Sequence, residues 1–239
     1  MKKLYPSIPH LPGSRAAEDK VLGGAMARRC LDPSAARPGE EVLVQEKLDG
    51  SCVAVALGED ADGREGRLLA FGREGRLAAL SPNEGRRMFA TWLARNEARL
   101  AGVLRPGEVL AGEWLALVHG TRYELPHEPF VPFDLLVTAE PGGPRERLPF
   151  DALAKRLEGA GLPLPALLHR GAPLPLADAT RLLGPRGRSA AVDPPEGVVY
   201  RVERKGRVVL VAKWVRPDKV DGAHLPENTG QPALYHWTP

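Results

Sequence analysis

Short apolar runs rich in β-branched residues alternate with turn-forming residues along much of the chain, a pattern typical of strands. The runs predict strands over Glu41–Lys47, Ser51–Leu57, Arg67–Phe71, Val109–Leu117, Val131–Val137, Gly197–Val202 and Val208–Val215. Short turns separate several of these runs, and helices do not alternate regularly with them. We therefore predict an α+β fold with largely antiparallel sheets rather than a doubly wound parallel sheet.

The helix pattern is clearest after residue 80. Ser81 is the predicted N-cap, Pro82 takes the first helical position and Glu84 completes a capping box. A 3.6-residue apolar period follows, formed by Met88, Phe89, Trp92 and Leu93. Two further helices are predicted, one from Phe150 to about Ala160 and one from Ala177 to Leu183.

Proline and glycine density predicts three loops, over residues 139–147, 161–175 and 184–195. The acidic stretch 59–63 predicts a polar hairpin tip. We find no internal repeat, and we expect a single domain over residues 1–239.

The composition describes an ordinary globular protein, with 43% hydrophobic and 26% charged residues. No apolar run is long enough for a membrane span, and the first residues lack the apolar region of a secretory signal. Cys30 and Cys52 cannot staple a chain of this size and suit a reducing cytoplasm. The histidines and cysteines show no zinc spacing. A net charge of +3 permits a polyanionic partner without requiring one.

A lysine lies on a tight turn between two predicted strands. The turn Glu46-Lys47-Leu48-Asp49-Gly50 follows the apolar run 42–44 and precedes the run 52–55. A desolvated lysine beside positive charge is partly neutral near pH 7 and can act as a nucleophile. Because a Lys-x-Asp-Gly turn alone is a weak signal, its interpretation depends on the segments that follow.

Five further predicted strands carry charged or aromatic residues within them or at their ends. In chain order these residues are Arg73, Glu113, Phe133, Glu196 and Lys213. An attacking amine, cations that neutralise phosphate, carboxylates that hold a divalent metal and a ring that stacks on a base together suit attack on a nucleotide α-phosphate.

The ordered segments Lys-x-Asp-Gly, Gly-Glu, Phe-Asp and Glu-Gly-Val-Val, with a late lysine strand, resemble the covalent nucleotidyltransferase superfamily of ligases and capping enzymes. Residues 119–126, running on to Phe133-Asp134, and the opening segment 9–15 resemble ATP-dependent RNA ligases of the RNA ligase 2-like group. The likeness extends from about Pro9 to Pro217. It implies an ATP-grasp-like adenylation domain with two mainly antiparallel sheets, flanking helices and a nucleotide cleft between the sheets.

The resemblance also implies a reaction. Lys47 would attack the α-phosphorus of ATP, expel pyrophosphate and hold AMP as a phosphoramidate. The AMP would pass to the 5′-phosphate of an RNA end, and a 3′-hydroxyl would displace AMP to seal the strand. ATP and Mg²⁺ or Mn²⁺ are the implied cofactors. Cationic neighbours such as Lys213, together with Mg²⁺, are expected to favour the neutral amine of Lys47.

Base and ribose contacts are implied for four residues. Glu46 would present backbone groups to the adenine, and Phe133 would stack on it. Asp49 would shape the turn and bind the ribose or a metal-bound water. Arg73 would contact the ribose or a substrate phosphate.

Metal and phosphate contacts are implied for three more. Glu113 would bind the ribose or orient the metal, Glu196 would engage the metal, and both contacts are expected to run partly through water. Lys213 would bind phosphate.

One departure from the related enzymes lies in the last strand. Those enzymes usually carry Lys-x-Lys, whereas here only Lys213 is present, with Val211 and Val215 two residues to either side. The missing lysine is either lost or replaced by Arg216, so the contact to the outer phosphates stays open between Lys213 and Arg216. By resemblance, RNA-end or supporting roles fall to His10, Arg15, His119 and Arg216.

Alternatives remain at the sequence level. They are a ligase that seals DNA or RNA–DNA hybrid nicks, a guanylyltransferase, and a non-catalytic nucleotide- or RNA-binding module with the same fold. A further alternative is an enzyme that adenylylates itself but needs a protein partner to hold RNA. No appended OB-fold is expected, which favours an RNA ligase over a DNA ligase or capping enzyme. Arg86 and Arg87 are most simply a solvated helix face.

Overall fold

The computed structural model describes residues 3–59, 63, 65–138, 140 and 143–238. Nine strands lie in this part of the chain: β1 (Glu40–Lys47), β2 (Ser51–Gly58), β3 (Arg67–Gly72), β4 (Val109–Trp114), β5 (Phe130–Thr138), β6 (Arg145–Arg147), β7 (Leu167–Gly171), β8 (Gly197–Arg204) and β9 (Arg207–Val215).

The α-helices of the same part are α1 (Gly24–Leu31), α2 (Glu84–Arg95), α3 (Glu97–Leu100), α4 (Phe150–Leu157), α5 (Leu176–Leu183) and α6 (Pro226–Thr229). Short 3₁₀ turns occupy Glu18–Lys20, Pro33–Ala35, Ala78–Leu80 and Glu158–Ala160.

The strands form two sheets. One has four strands in the order β7-β1-β8-β9, and the other has five in the order β3-β2-β4-β5-β6. Every strand ladder in both sheets is antiparallel. The predicted α+β fold with antiparallel sheets is therefore confirmed.

The four-stranded sheet buries one face against helices because its side chains alternate. Val42 and Val44 of β1 point to that face and pack in one core cluster with Ala179 and Leu183 of α5. The intervening positions, among them Lys47, point to the opposite face and line a cleft.

Side chains of the five-stranded sheet alternate between its two faces in the same way. Val53 and Val55 of β2 share a core cluster with Phe89 and Trp92 of α2. The alternate residue, Ala54, packs in a separate cluster on the other face. Helices thus cover the outer faces of both sheets, and the inner faces meet across the cleft.

The predicted start of the helix after residue 80 was wrong by two residues. Asn83 is the N-cap, and its Oδ1 accepts a hydrogen bond from the Arg86 backbone N–H at 3.1 Å. Ser81 Oγ accepts instead from the Asn83 N–H at 3.1 Å. Pro82 therefore precedes the cap, since asparagine is at least as good an N-cap as serine and lies closer to the apolar face.

Two short strands lie inside segments predicted as loops. β7 falls within the predicted loop 161–175 and β6 within the predicted loop 139–147, and each pairs with a longer strand at a sheet edge. Their positions depend on backbone pairing with distant residues, which flanking proline and glycine conceal. Helix α1 was also missed, and the strand predicted to reach Leu117 ends at Trp114.

Other local predictions have different outcomes. The helices near 150–160 and 177–183 are confirmed as α4 with its following 3₁₀ turn and as α5. No named helix or strand lies in the loop 184–195, all of which the structure describes. Residues 60–62 of the predicted hairpin tip and residues 139, 141 and 142 of the first loop lie outside the described residues. In the described chain, none of the helices is long and apolar enough to span a bilayer.

The revised helix start gives a stability prediction. Asn83→Ala should lower the free energy of unfolding by about 1 kcal/mol, because it removes the cap acceptor for the Arg86 N–H. Asn83→Asp retains that acceptor and should stay within a few tenths of a kcal/mol, roughly, of the wild type. Urea denaturation midpoints measure both; equal losses in the two variants would contradict the assigned cap.

Candidate active site

The lysine turn carries the chain from one sheet to the other. β1 ends at Lys47 in the four-stranded sheet, and β2 begins at Ser51 in the five-stranded sheet. Gly50 lies so close to the backbone carbonyl of Trp114 that a Cβ there would collide with it. Glycine is therefore required by this close approach, and the tight crossing places Lys47 at the base of the cleft.

The cleft between the sheets encloses a cavity of about 380 Å³. Six of the residues predicted from the sequence line it: Glu46, Lys47, Arg73, Glu113, Phe133 and Lys213. Strands from both sheets contribute, so residues far apart in the chain converge on one space. Six other predicted residues lie outside this lining: His10, Arg15, Asp49, His119, Glu196 and Arg216.

Lys47 is held by a carboxylate behind it. Its Nζ donates to Glu196 Oε2 at 2.7 Å and to the Leu48 carbonyl oxygen at 3.1 Å. Burial lowers the pKa of Lys47, but the Glu196 and Glu113 carboxylates more than offset burial and raise it above 10.5. In the protein without a metal the carboxylates outweigh the cationic neighbours, so Lys213 alone does not make the amine neutral. The effect expected of Mg²⁺ stays a prediction.

Glu113 lies on the other side of the amine. Its Oε1 accepts a hydrogen bond from the Gly50 N–H at 3.1 Å. Burial raises its pKa to about 7, against the opposing effect of Lys47. The pKa of Glu196 is also raised, chiefly by burial. Two desolvated carboxylates thus share one ammonium.

The carboxylates of Glu113 and Glu196 fit a divalent cation. Among the described residues, the second oxygen of each of the two carboxylates, Glu113 and Glu196, accepts no hydrogen bond. Mg²⁺ and Mn²⁺ prefer carboxylate oxygens, and Mg²⁺ needs few of them because it keeps waters and takes phosphate oxygens. These two residues could hold the metal, which would neutralise charge on a bound phosphate.

Asp49 points away from the cavity. Its Oδ2 accepts from the Gly120 N–H at 2.9 Å and from the ammonium of Lys219, which also donates to Thr121 Oγ1 at 2.8 Å. The Lys219 side chain is fully buried. Asp49 therefore ties the turn to the segment after β4 and to the chain after β9.

An aromatic and ionic cluster closes the far end of the cleft. The rings of Phe133 and Tyr5 meet edge to face at 5.2 Å between centroids. The Tyr5 hydroxyl and Arg147 Nε donate to Asp134 Oδ2 at 2.6 and 2.9 Å, and the guanidinium of Arg201 donates to Oδ1.

This cluster also links the sheets. Arg201 of β8 donates to the Phe133 carbonyl oxygen of β5 at 3.0 Å. The contact connects the four-stranded to the five-stranded sheet and fixes the backbone that carries the predicted base-stacking ring.

The last strand shows where the missing lysine would lie. Val211 and Lys213 both line the cavity, so Val211 occupies the cleft-facing position two residues before Lys213. The Arg216 guanidinium instead pairs with Asp218 at 2.5 Å, and its backbone N–H donates to the Glu196 carbonyl oxygen at 3.0 Å. The geometry therefore places Lys213, and not Arg216, at the cavity.

The opening segment runs beside that strand. The Leu11 N–H donates to the Lys213 carbonyl oxygen at 2.8 Å, and the Lys213 N–H donates to the Pro9 carbonyl oxygen at 3.0 Å. The His10 ring contacts Ser14 Oγ at 2.7 Å, and burial followed by Lys213 and Lys47 lowers its pKa to about 4.

The remaining predicted residues support the cleft. Arg15 pairs with Asp221 on the surface at 2.5 Å. His119 Nε2 contacts Ser51 Oγ at 3.2 Å beneath the turn. Arg73 Nε donates to the Tyr5 carbonyl oxygen at 3.4 Å and so holds the opening segment.

Glu46 makes hydrogen bonds through both its side chain and its backbone. Its side-chain Oε2 accepts from the Arg188 N–H at 3.0 Å and from Ser189 Oγ at 2.8 Å. Its backbone N–H donates to the Ala166 carbonyl oxygen at 2.9 Å. The carboxylate therefore anchors the loop 184–195.

Sequence reasoning missed several residues of the site. Lys219 lies in a charged stretch that looks solvent-exposed, and His236 lies far along the chain, so neither gives a local signal. Tyr123 lies within residues 119–126, where the resemblance assigned a role only to His119. Arg86, interpreted as part of a solvated face, lines the cavity, where Gly72 leaves room for its guanidinium.

A model of the RNA ligase family matches residues 40–215, which span β1 to β9. No curated protein matches the chain.

Solved structures share the fold at low identity. A lysine-to-alanine mutant of a Naegleria gruberi RNA ligase with ATP and Mn aligns with a TM-score of 0.52 and 17% identity, over 90% of this chain and 58% of that one. A lysine-to-methionine mutant of the same ligase with AMP and Mn gives 0.52 and 16% over the same shares. A putative ATP-dependent DNA ligase from Aquifex aeolicus gives 0.50 and 16%, over 88% and 49%. The chain thus spans about half the length of these proteins.

The buried Asp49–Lys219 pair gives the next prediction. Lys219→Met should lower the free energy of unfolding by about 3–5 kcal/mol, because it leaves a carboxylate without its counterion. The double variant with Asp49→Asn should recover a large part of that loss. Denaturation midpoints measure both, and a double variant less stable than Lys219→Met would contradict the pairing.

Glu113 should make stability depend on pH. Its pKa is about 7 in the folded protein against an ordinary value of 4.5, so the folded state binds this proton more tightly. Its contribution is therefore lost as pH rises from about 4.5 to about 7. Glu113→Gln should flatten the stability profile in that window, measured by urea midpoints from pH 4.5 to 8.

A control of opposite sign is available. The hydrogen bond from Arg122 lowers the pKa of Asp193, so Asp193→Asn should alter the stability profile only at more acid pH. Parallel profiles for wild type and Glu113→Gln would show that Glu113 is not perturbed in this way.

Proposed function

The chain belongs to the RNA ligase family, and from that premise we propose that it is an ATP-dependent RNA ligase whose nucleophile is Lys47. The observation that carries the proposal is the convergence of Lys47, Glu113, Phe133 and Lys213 on one cavity. That cavity unites an amine, a carboxylate, a ring and a cation in the arrangement that nucleotidyl transfer needs.

The first step is formation of a lysyl-AMP. The Lys47 amine loses its proton, and Glu196 Oε2 at 2.7 Å is the acceptor placed to take it. The neutral nitrogen bonds to the α-phosphorus of ATP, the bond to the bridging oxygen breaks, and pyrophosphate leaves. Mg²⁺ or Mn²⁺ held by the carboxylates would neutralise charge on the phosphates.

Base recognition follows from the far end of the cleft. Phe133 lines the same cavity as Lys47, and with the α-phosphate at Lys47 its ring would stack on the purine. Lys213, which also lines the cavity, would contact the phosphate, and its pKa is lowered by burial and by the charge of Lys47.

Two further steps complete sealing. A 5′-phosphate oxygen of an RNA end attacks the adenylate phosphorus, the nitrogen–phosphorus bond breaks, and Lys47 regains a proton. A 3′-hydroxyl then attacks the activated 5′-phosphorus and AMP leaves. We assign the protein to RNA repair or end sealing, and its free cysteines Cys30 and Cys52 suit the cytoplasm.

Label transfer from α-labelled ATP tests the nucleophile. The wild type incubated with Mg²⁺ should carry label on the polypeptide, and Lys47→Ala should carry none. Lys205→Ala, in the exposed turn between β8 and β9, is the matched control and should label like the wild type. Label retained by Lys47→Ala would remove Lys47 as the nucleophile.

A substrate panel tests the rest of the proposal. RNA carrying a preformed 5′-adenylate bypasses the lysine, so Lys47→Ala should still seal it. Nicks of all-RNA, hybrid and all-DNA composition compared side by side should rank RNA first, because contacts to the 2′-hydroxyl separate the substrates. Preference for the all-DNA nick would overturn the assignment to RNA, and labelling without sealing would point to a partner that holds RNA.

A further inference from the structure

Residues 234–237 lie along the chain that leaves β4. The Val118 N–H donates to the Leu234 carbonyl oxygen at 2.9 Å, and the His236 N–H donates to the Ala116 carbonyl oxygen at 2.8 Å. The Trp237 ring meets the buried Trp114 ring edge to face at 5.6 Å. This segment lies outside the part of the chain matched by the family model.

The His236 ring bridges two backbone groups. One ring nitrogen, Nδ1, is 2.6 Å from the Leu115 carbonyl oxygen, and the other, Nε2, is 2.9 Å from the Tyr123 N–H. A carbonyl oxygen only accepts and an N–H only donates, so the ring must be neutral with its proton on Nδ1. Burial, which lowers the pKa of His236, favours the same neutral form.

Tyr123 connects His236 to the lysine turn. Its hydroxyl accepts a hydrogen bond from the Asp49 N–H at 3.0 Å, and its ring is buried among the residues of a small core cluster that includes Leu48 and Leu115. The hydroxyl does not line the cleft.

A single peptide unit connects that hydroxyl to the amine. The Asp49 N–H and the Leu48 carbonyl belong to the same planar peptide, and the carbonyl oxygen accepts from Lys47 Nζ at 3.1 Å. Because the unit is rigid, fixing its N–H also fixes the direction of its carbonyl. Rotation of this peptide would move the acceptor away from the lysine.

We propose that His236 and Tyr123 are positioning residues that aim the Lys47 amine through the Leu48–Asp49 peptide. The inference rests on the proposed function, because the positioning by His236 and Tyr123 would change the rate of lysyl-AMP formation. Neither residue lines the cavity, so the effect should fall on the chemical step and not on ATP binding.

Single-turnover label transfer over a range of ATP concentrations, up to saturation, tests the proposal. Tyr123→Phe removes only the hydroxyl and should slow lysyl-AMP formation by roughly 3- to 10-fold, the range of one hydrogen bond, with the KM for ATP unchanged. His236→Ala should slow it by a similar factor. His236→Gln, which offers a donor and an acceptor, should restore most of the rate.

The double variant separates positioning from general stability. If His236 acts through the Tyr123 hydroxyl, His236→Ala should add little further loss to Tyr123→Phe. Tyr235→Phe is the control in the same segment, since its hydroxyl donates to Glu84 on the surface, and it should label like the wild type. The proposal would be overturned if the rate losses of the two single variants multiplied in the double variant. It would also be overturned if the variants changed only the KM for ATP.

Amide hydrogen exchange at Asp49 gives a readout that does not need activity. Tyr123→Phe and His236→Ala should both accelerate exchange of this amide, whereas Tyr235→Phe should not. A wild type that takes no label would refute the proposed function, and this measurement would still decide the positioning claim. Unchanged exchange in both variants would overturn the positioning claim by itself.

Discussion

One ammonium between two desolvated carboxylates is the interaction on which the site depends. Lys47 lies 2.7 Å from Glu196, and Glu113 faces it from the other sheet. The three groups together carry excess negative charge when all are ionised, so the protein alone keeps the lysine protonated. In its proposed role as the nucleophile, Lys47 would need another cation to relieve the carboxylates before it could lose its proton. Under the proposed function, the same charge balance that holds the amine in place would make its reactivity conditional on metal and nucleotide.

The fold brings the members of this cluster together from separate sheets. Glu113 and Lys47 come from different sheets, and they meet because the turn after β1 crosses directly from one sheet to the other. Gly50 permits that crossing. At the opposite end, the contact between Arg201 and Asp134 joins the sheets again. The two sheets are thus connected at two points, at the turn through Gly50 and at the Arg201–Asp134 contact.

The sequence predicted the parts of the site that repeat a local pattern. Lys47, Glu113 and Lys213 stand within or at the ends of apolar strands, where alternation decides which face they take, and all three line the cleft. Phe133 was predicted from the Phe-Asp segment and the family resemblance that this segment carries. The antiparallel architecture followed from β-branched runs and short turns. Each of these signals lies within a few residues of the feature it predicts.

What the sequence concealed depends on contacts between distant segments. Lys219 becomes a buried counterion only because Asp49 lies above it, and His236 reaches the site only because its segment folds back along the chain that leaves β4. β7 gains its structure from pairing with β1. The sign of the Lys47 pKa shift also escaped prediction, because it depends on distances to two carboxylates from elsewhere in the chain. The residues near Lys47 in the sequence predicted a partly neutral amine, whereas the carboxylates of the assembled site keep it protonated.

The protonation of Lys47 is the most direct measure of this account. NMR titration of the lysine Nζ or Cε signals, with Lys47→Arg used to assign the resonance, gives its pKa before and after binding of Mg²⁺ and an ATP analogue that cannot lose pyrophosphate. The account predicts a pKa above 10.5 in the protein alone and a marked fall in the complex. A pKa already below 10.5 in the free protein, or one that does not fall on binding, would contradict it.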